Sequence, residues 1–286
     1  MKKVFLIIGI CLLIIGLGIS ITILAMVDFN IKELNNFKYT ERSYAEDAAK
    51  VNKLLLDDTN RRVELKISND EKIHIYYFES EKEFYKISLS DGVLSVISEN
   101  NMKWYDYLGF KWDFNTSIRI EIPKNTIEDI KIETKNGDII AENISVTDNI
   151  FIKTLNGRIS SNEISCSSFK CESYNGKLLM DSISSENISC ETKNGMIEIK
   201  NCVSQTLDAK VYNGAIELEA IDTQQADFKS YNGRIHGSMI GSLNEFSVRS
   251  SVKNGSCNLP SNTTNGEKSI VAETYNGSIN ISFTKD

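Results

Sequence analysis

ISCETKNGMIEIKNC (residues 188–202) is followed by LDAKVYNGAIELEAI (residues 207–221), and the two align residue for residue nineteen positions apart. Each carries an Asn-Gly pair flanked on both sides by alternating apolar and polar residues. The same pair stands at Asn136-Gly137, Asn156-Gly157, Asn175-Gly176, Asn194-Gly195, Asn213-Gly214, Asn232-Gly233, Asn254-Gly255 and Asn276-Gly277. Successive glycines are 20, 19, 19, 19, 19, 22 and 22 residues apart. A fixed period near twenty is the mark of a repeat fold in which each unit adds one layer to a stack.

With the glycine as origin, the columns fall into place. Two residues after it stand Ile139, Ile159, Leu178, Ile197, Ile216, Ile235, Cys257 and Ile279. Seven after it, in the six regular turns, stand Ile144, Ile164, Ile183, Cys202, Ile221 and Ile240. Before it, positions −7 (Ile130, Ile150, Phe169, Ile188, Leu207, Ala226), −5 (Ile132, Ile152, Cys171, Cys190, Ala209, Phe228) and −3 (Thr134, Thr154, Ser173, Thr192, Val211, Ser230) alternate with Lys, Glu and Ser. That is the period-2 signature of a strand with one buried face. Glycine is expected to supply a positive φ that turns the chain out of the strand, and Asn tolerates the same region.

Two arrangements fit a strand, a tight turn and a second strand. A row of hairpins is one, because Asn-Gly between alternating strands is a strong hairpin signal. A parallel β-solenoid is the other, and the near-constant period favours it: one extra residue per turn breaks the stacking, whereas hairpin loops vary freely. Asn side chains in one column could then hydrogen-bond as a ladder. Eight rungs at about 4.8 Å give a rod of about 40 Å. Asn265-Gly266 lies off the register, with Lys268 where a rung has an apolar residue, so Pro260–Lys268 reads as an inserted loop. A bulge near Ser250–Ser251 would account for the other 22-residue spacing.

Met1-Lys2-Lys3 precedes 24 uncharged residues, Val4 to Val27. That span meets the roughly 20 residues needed to cross a bilayer. A cleaved signal peptide has an apolar core of only about 7–15 residues, and the best cleavage site, after Ala25, has Ile23 where a small residue is preferred. An uncleaved anchor is the favoured reading, with Lys2 and Lys3 cytoplasmic and the C-terminal domain extracellular. Cys11 lies inside the span, behind Ile10, and does not suit lipid attachment.

Four segments result: an anchor (1–27), a polar stalk (28–60), a β cap region (61–126) and the solenoid repeats (127–286). The cap reading rests on alternation at Val63, Leu65 and Ile67, at Ile73, Ile75 and Tyr77, and at Ile118, Ile120 and Ile122. A naked rung exposes ladder groups that invite aggregation, so an end needs covering. The net charge of −7 is spread through the chain without a basic stripe, so nucleic acid is not an expected partner. The Asn-, Ile-, Lys- and Ser-rich composition suggests an AT-rich bacterial genome.

Ser80-Glu-Lys-Glu-Phe-Tyr-Lys-Ile-Ser-Leu, Trp104-Tyr-Asp-Tyr-Leu-Gly, Ile120-Glu-Ile-Pro-Lys and the Lys-Ile-Glu-Thr-Lys-Asn-Gly-Asp-Ile rungs together resemble the DUF4097 family from about Asn52 to the C-terminus. These are the putative adhesins, or LiaG-like proteins, of Gram-positive bacteria. The resemblance implies a β-solenoid outside the cytoplasmic membrane, often associated with cell-envelope stress. It supplies no catalytic residues to carry over.

Solenoid enzymes that act on polysaccharides cluster Asp, Glu, Lys or Arg on one face. Here the outward residues Lys131, Glu133, Lys153, Lys170, Glu172, Glu191, Lys193, Lys210 and Lys229 interleave in sign, as a solvated surface with weak cross-rung ion pairs does. His74 and His236 are far apart in sequence, and no nucleophile or metal-ligand spacing emerges. No catalytic residue, cofactor or metal is assigned, and the chain is read as not an enzyme. Trp104, Tyr105, Tyr107 and Trp112 form an aromatic cluster that fits either a plug over the first rung or a platform for sugar rings or lipid headgroups. Cys171 and Cys190 share a column on neighbouring rungs, where a disulfide is geometrically allowed but reduced core packing is favoured. The favoured function is a membrane-anchored binding or structural module of the cell envelope, meeting wall polymer, lipid headgroups or an envelope protein. An envelope-stress accessory acting through a membrane signalling partner is the alternative, and a carbohydrate-active enzyme is disfavoured.

Overall fold

The computed structural model describes residues 2–26, 28–29, 38–104 and 116–285. Among the described residues helix Lys2–Met26 comes first, followed by nineteen strands. The chain divides into two units. One comprises residues 1–40, 79–84 and 100–115; the other, the stack of strands, comprises residues 41–78, 85–99 and 116–286. In the first, the side chains of Ser20 and Thr22 donate to the carbonyls of Gly16 and Gly18 one helical turn back. Their hydroxyls are thereby satisfied within an otherwise apolar helix.

The repeats form a parallel β-solenoid with like residues paired. Ile130 pairs with Ile150, Ile150 with Phe169, Phe169 with Ile188, and Ile188 with Leu207. Within one turn the inward residues come in three runs: Ile159 and Ser161, Ile164 and Cys166, then Phe169, Cys171 and Ser173. The −7, −5 and −3 columns are buried throughout the six regular turns, as are the +2 residues except Cys257. Two positions depart from the sequence reading. Cys257 is exposed because its segment makes only an isolated bridge to Ile279. Ile240 is also exposed, because a register shift puts Met239 opposite Ile221 and buries it instead.

The glycines are needed for closeness more than for φ. A Cβ on Gly157 would lie 1.9 Å from the carbonyl oxygen of Gly137, and one on Gly176 would lie 1.7 Å from that of Gly157. All eight glycines sit within 2.1 Å of such a clash, each against the backbone of the layer below. Only Gly214 and Gly255 among them have positive φ, at 155° and 150°. The left-handed corner lies six residues later, at Asn143, Glu163, Ser182, Asn201 and Ala220, with φ between 49° and 57°. Asn and short polar residues reach that region with least strain, so the corner needs no glycine.

Asn side chains form the expected ladder, and it is longer than the Asn-Gly pairs. In stack order it runs Asn60, Asn136, Asn156, Asn175, Asn194, Asn213, Asn232, Asn276, Asn254. Each Nδ2 donates to the preceding Oδ1 at 2.6–2.9 Å. The buried hydroxyls at −3 clip this corner from inside: Thr154, Ser173, Thr192, Ser230 and Thr274 each donate to a glycine carbonyl one layer away.

Asn60 reveals a layer inside the segment assigned to the stalk. Strand Lys53–Asp57 pairs with Asp129–Thr134, putting Leu54 opposite Ile130 and Leu56 opposite Ile132. Arg62–Ile67 pairs with the following strand, with Val63 opposite Ile139. Arg61 occupies the glycine position, and Asp58 takes the place of the −3 hydroxyl, accepting from the backbone N–H groups of Asn60 and Arg61 and from the Tyr85 hydroxyl. Thr40–Asp47 is also a strand, so residues 40–60 are largely ordered β structure, with one short 3-10 turn at Ala48–Lys50.

Layers at both ends lie out of chain order. Strands Val93–Asn100 and Ser117–Ile122 stack on the far side of the Lys53–Ile67 layer, so that layer is sandwiched between later ones. At the other end Lys268–Asn276 inserts between the layer of Gly233 and the strand Phe246–Asn254. The final segment is therefore covered on both sides. The outer edges are closed by antiparallel chain: Lys72–Glu79 runs against Ser117–Ile122, and Thr263 exchanges both backbone hydrogen bonds with Val248. Along these stretches the outer strand is met by chain of reversed polarity, which occupies ladder groups that would otherwise be open.

Pro260–Lys268, read as an inserted loop, thus supplies the edge cover and then starts a strand at Lys268. Gly266 is no neutral loop position, since a Cβ there would lie 2.2 Å from the Phe246 carbonyl carbon. Ser250 and Ser251 hold register with Ala272 and Glu273. The extra residues of the first long spacing lie near Leu243–Glu245, a 3-10 turn capped by Ser242.

Ile197 is fully buried, and Glu198 beside it is paired with Lys200 on the outer face at 2.8 Å. Ile197→Asp is expected to destabilise by several kcal/mol, because it buries an unpaired carboxylate. Glu198→Lys should change stability by about 1 kcal/mol or less. Thermal melts of the two variants check the contrast; equal losses would invert the inside-outside assignment.

Candidate functional site

Of the aromatic cluster singled out in the sequence, Trp104 sits in a turn and is 76% exposed. Tyr105, Tyr107 and Trp112 lie outside the described residues. His74 bonds to Asp70 at 2.9 Å beside Tyr76, and His236 lies opposite Glu217 and Asn280 on an outer strand face. Among the described residues no group of three or more His, Cys, Asp or Glu is placed to hold a metal ion.

The side chains of Cys171 and Cys190 are direct neighbours in adjacent layers, and Met180 packs against both. Met180 Sδ lies 3.4 Å from Cys171 Sγ and 3.6 Å from Cys190 Sγ, and both cysteines are free and buried. The three sulfurs fill core volume. Burial pushes the Cys166 thiol up to about 11 and that of Cys202 to about 12, so these groups are poor nucleophiles.

A groove of about 1100 Å³ runs along the outward side of the strand that precedes each Asn-Gly corner. It crosses seven layers, from Lys153–Leu155 to Ser251–Lys253, a run of about 29 Å at the spacing of stacked strands. Two columns build it. Position −4 contributes Lys153, Glu172, Glu191, Lys210, Lys229, Glu273 and Ser251 in stack order, and position −2 contributes Leu155, Tyr174, Lys193, Tyr212, Tyr231, Tyr275 and Lys253. Five lysines against three glutamates leave the groove at +2 on a chain of net charge −7.

The tyrosines are ordered by stacking. Tyr212 and Tyr231 lie face to face with centroids 4.8 Å apart, and Tyr231 and Tyr275 do so at 4.9 Å. A lysine closes each end of the tyrosine run. Lys193 Nζ donates to the Tyr174 hydroxyl at 2.8 Å and lies 4.7 Å from that ring's centre. Lys253 Nζ donates to the Tyr275 hydroxyl at 2.6 Å and lies 4.3 Å from its ring centre. The hydrogen bond to Tyr174 holds the Lys193 ammonium above the usual lysine range. Burial pushes the Glu172 carboxyl up, but hydrogen bonds from Lys170 and Lys153 outweigh it and hold the group below the usual range. Among the described residues Lys193, Lys210 and Lys253 have no carboxylate partner within ion-pair distance.

The sequence carries a signal for this groove in one outward column. The −2 column, read alone, is Leu155, Tyr174, Lys193, Tyr212, Tyr231, Lys253, Tyr275. Within any single turn this position is one exposed tyrosine, lysine or leucine, and only the column shows the pattern.

Residues 51–286 match the Toastrack DUF4097 family. That span is most of the chain, and the protein belongs to this family. Among solved structures, a putative adhesin from Bacteroides fragilis aligns at 18% identity with a TM-score of 0.54, over 86% of this chain and 97% of its own. A putative lipid binding protein from Parabacteroides distasonis aligns at 12% identity with a TM-score of 0.43, over 86% and 97%. At 18% identity the likeness to the Bacteroides fragilis protein is one of fold. No curated protein matches the chain.

Tyr231 has a ring stacked on each side, and no described group bonds to its hydroxyl. Tyr231→Ala should destabilise by about 2 kcal/mol through two lost ring contacts, whereas Tyr231→Phe should stay within about 0.5 kcal/mol. Chemical denaturation with near-UV circular dichroism checks both.

Proposed function

We propose that the protein is a membrane-anchored binding module of the cell envelope, holding a stacked β domain outside the membrane and meeting its ligand along the tyrosine–lysine groove. The pairing of a spanning-length apolar helix with an uninterrupted, regularly spaced groove carries this reading. Lys3–Met26 is long and apolar enough to cross a bilayer, and its apolar side chains from Val4 to Ile23 are largely exposed, as a segment solvated by lipid would be. A rigid stack suits a display role, because each layer fixes the next and the outward columns keep one spacing. The adhesin description of the Bacteroides fragilis protein agrees with a surface-binding role.

Protease added to intact protoplasts should remove residues beyond the helix and leave the helix in the membrane fraction. Mass spectrometry of the retained fragment checks this. A free secreted domain beginning near Met26 would identify the helix as a signal sequence and overturn the anchored reading.

A further inference from the structure

We infer that the groove takes a linear, phosphodiester-linked polyol chain, bound at two Lys–Tyr donor pairs. The inference rests on the reading of the chain as a binding module and assigns the chemistry of its ligand.

The first observation is what the tyrosines withhold. Sugar rings are bound by aromatic residues through open ring faces. Here Tyr231 is stacked on both faces, Tyr212 and Tyr275 each give one face to it, and ammonium groups lie over Tyr275 (Lys253) and over the separate ring of Tyr174 (Lys193). The central ring, Tyr231, therefore has no free face to offer, and its neighbours have lost one each to stacking or to an ammonium group. A ligand built of flat rings finds no platform.

The second is what the lysines offer. An ammonium has three N–H donors and a phenol one O–H. When Lys193 gives one N–H to the Tyr174 oxygen, the tyrosine's own proton is directed elsewhere and two ammonium protons remain. Lys253 and Tyr275 repeat the arrangement. Each pair therefore presents several donors and one positive charge to a single anion, the setting in which hydrogen bonds are strongest. The two pairs stand about four layers, or about 19 Å, apart. Lys210 lies between them without a carboxylate partner among the described residues. A chain of spaced anions can engage all three, and a phosphodiester keeps its charge across the physiological range. A narrow polyol backbone also bends past Glu191 and Glu273, which a rigid polyanion cannot avoid.

The third is placement. In chain order Lys253 would separate Tyr231 from Tyr275, and the exchange of the last two layers moves it to the end. That exchange both completes the tyrosine run and creates the second donor pair.

The full chain in non-ionic detergent micelles, titrated with end-labelled poly(glycerol phosphate) and followed by fluorescence anisotropy, tests the inference. Binding is expected, weakening several-fold between 50 and 200 mM salt, roughly as counterion release requires. Lys193→Gln with Lys253→Gln should weaken it by about tenfold or more, and Tyr174→Phe with Tyr275→Phe by roughly threefold. The charge-matched control Lys72→Gln with Lys124→Gln, away from the groove, should change it by less than about twofold. Lys193→Arg with Lys253→Arg, which keeps the charge, should retain most of the binding even if the glutamine pair were to lower the melting temperature. Neutral dextran and ring-bearing polygalacturonate should each bind at least about tenfold more weakly. No binding of poly(glycerol phosphate), equal binding of polygalacturonate, or an equal loss in the control pair would overturn it. None of these outcomes bears on the protoplast experiment, so ligand class and membrane anchoring fail separately.

Discussion

The contact between each corner glycine and the backbone carbonyl at the same corner one layer away, a glycine's in every case but Arg61 beneath Gly137, sets everything else. Any Cβ in that column would come within 1.7–2.1 Å of a backbone oxygen, a distance no side chain tolerates. The layers can close to strand spacing at this corner only because a glycine hydrogen, not a methyl group, faces the carbonyl oxygen there. Once they have closed, the neighbouring amides come within reach and the Asn ladder forms along the outside, while the −3 hydroxyls clip the same carbonyls from within. Each ladder bond is worth only about 1 kcal/mol. Their value lies in fixing register, since a one-residue slip would turn every inward residue outward.

Fixed register is what turns separate surface residues into a site. The −2 position is unremarkable in any single turn, where it is one tyrosine or one lysine on an exposed strand. Stacked, the same positions become a column of rings with covered faces and lysines at its ends. The exchange of the last two layers sharpens the effect by bringing Tyr275 against Tyr231 and placing Lys253 outermost. The same exchange, mirrored at the other end, holds the terminal strand between two neighbours and leaves antiparallel segments to close the edges. Fold protection and site assembly thus come from one topological device.

Most of the stack was legible in the sequence because the period is short and the alternation strict. Columns −7, −5 and −3 were read correctly, since burial on one strand face leaves a pattern that no loop imitates. What escaped was whatever breaks the period. The Lys53–Ile67 layer hid because Arg61 stands where a glycine was sought, although Leu54, Leu56, Asn60 and Val63 obey every other column. The layer exchange is invisible in one dimension, because chain order carries no record of which strand sits on which. The groove is hidden for a different reason: each −2 residue is an ordinary exposed position within its own turn, and the tyrosines become one feature only when the turns are stacked.

The central claim is that closeness, not backbone handedness, demands the glycines, and one stability comparison tests it. Gly157, Gly176 and Gly195 have no positive φ, so a handedness requirement would let alanine replace them at little cost. Each should instead lose well over about 2 kcal/mol on conversion to alanine, because a packed backbone must part to admit the methyl group. At the left-handed corner, Ala220→Gly, which relieves a φ of 53°, should be neutral or stabilising by up to about 1 kcal/mol. Denaturant unfolding of the four single variants gives the answer. Alanine tolerated within about 0.5 kcal/mol at all three glycines would contradict the account.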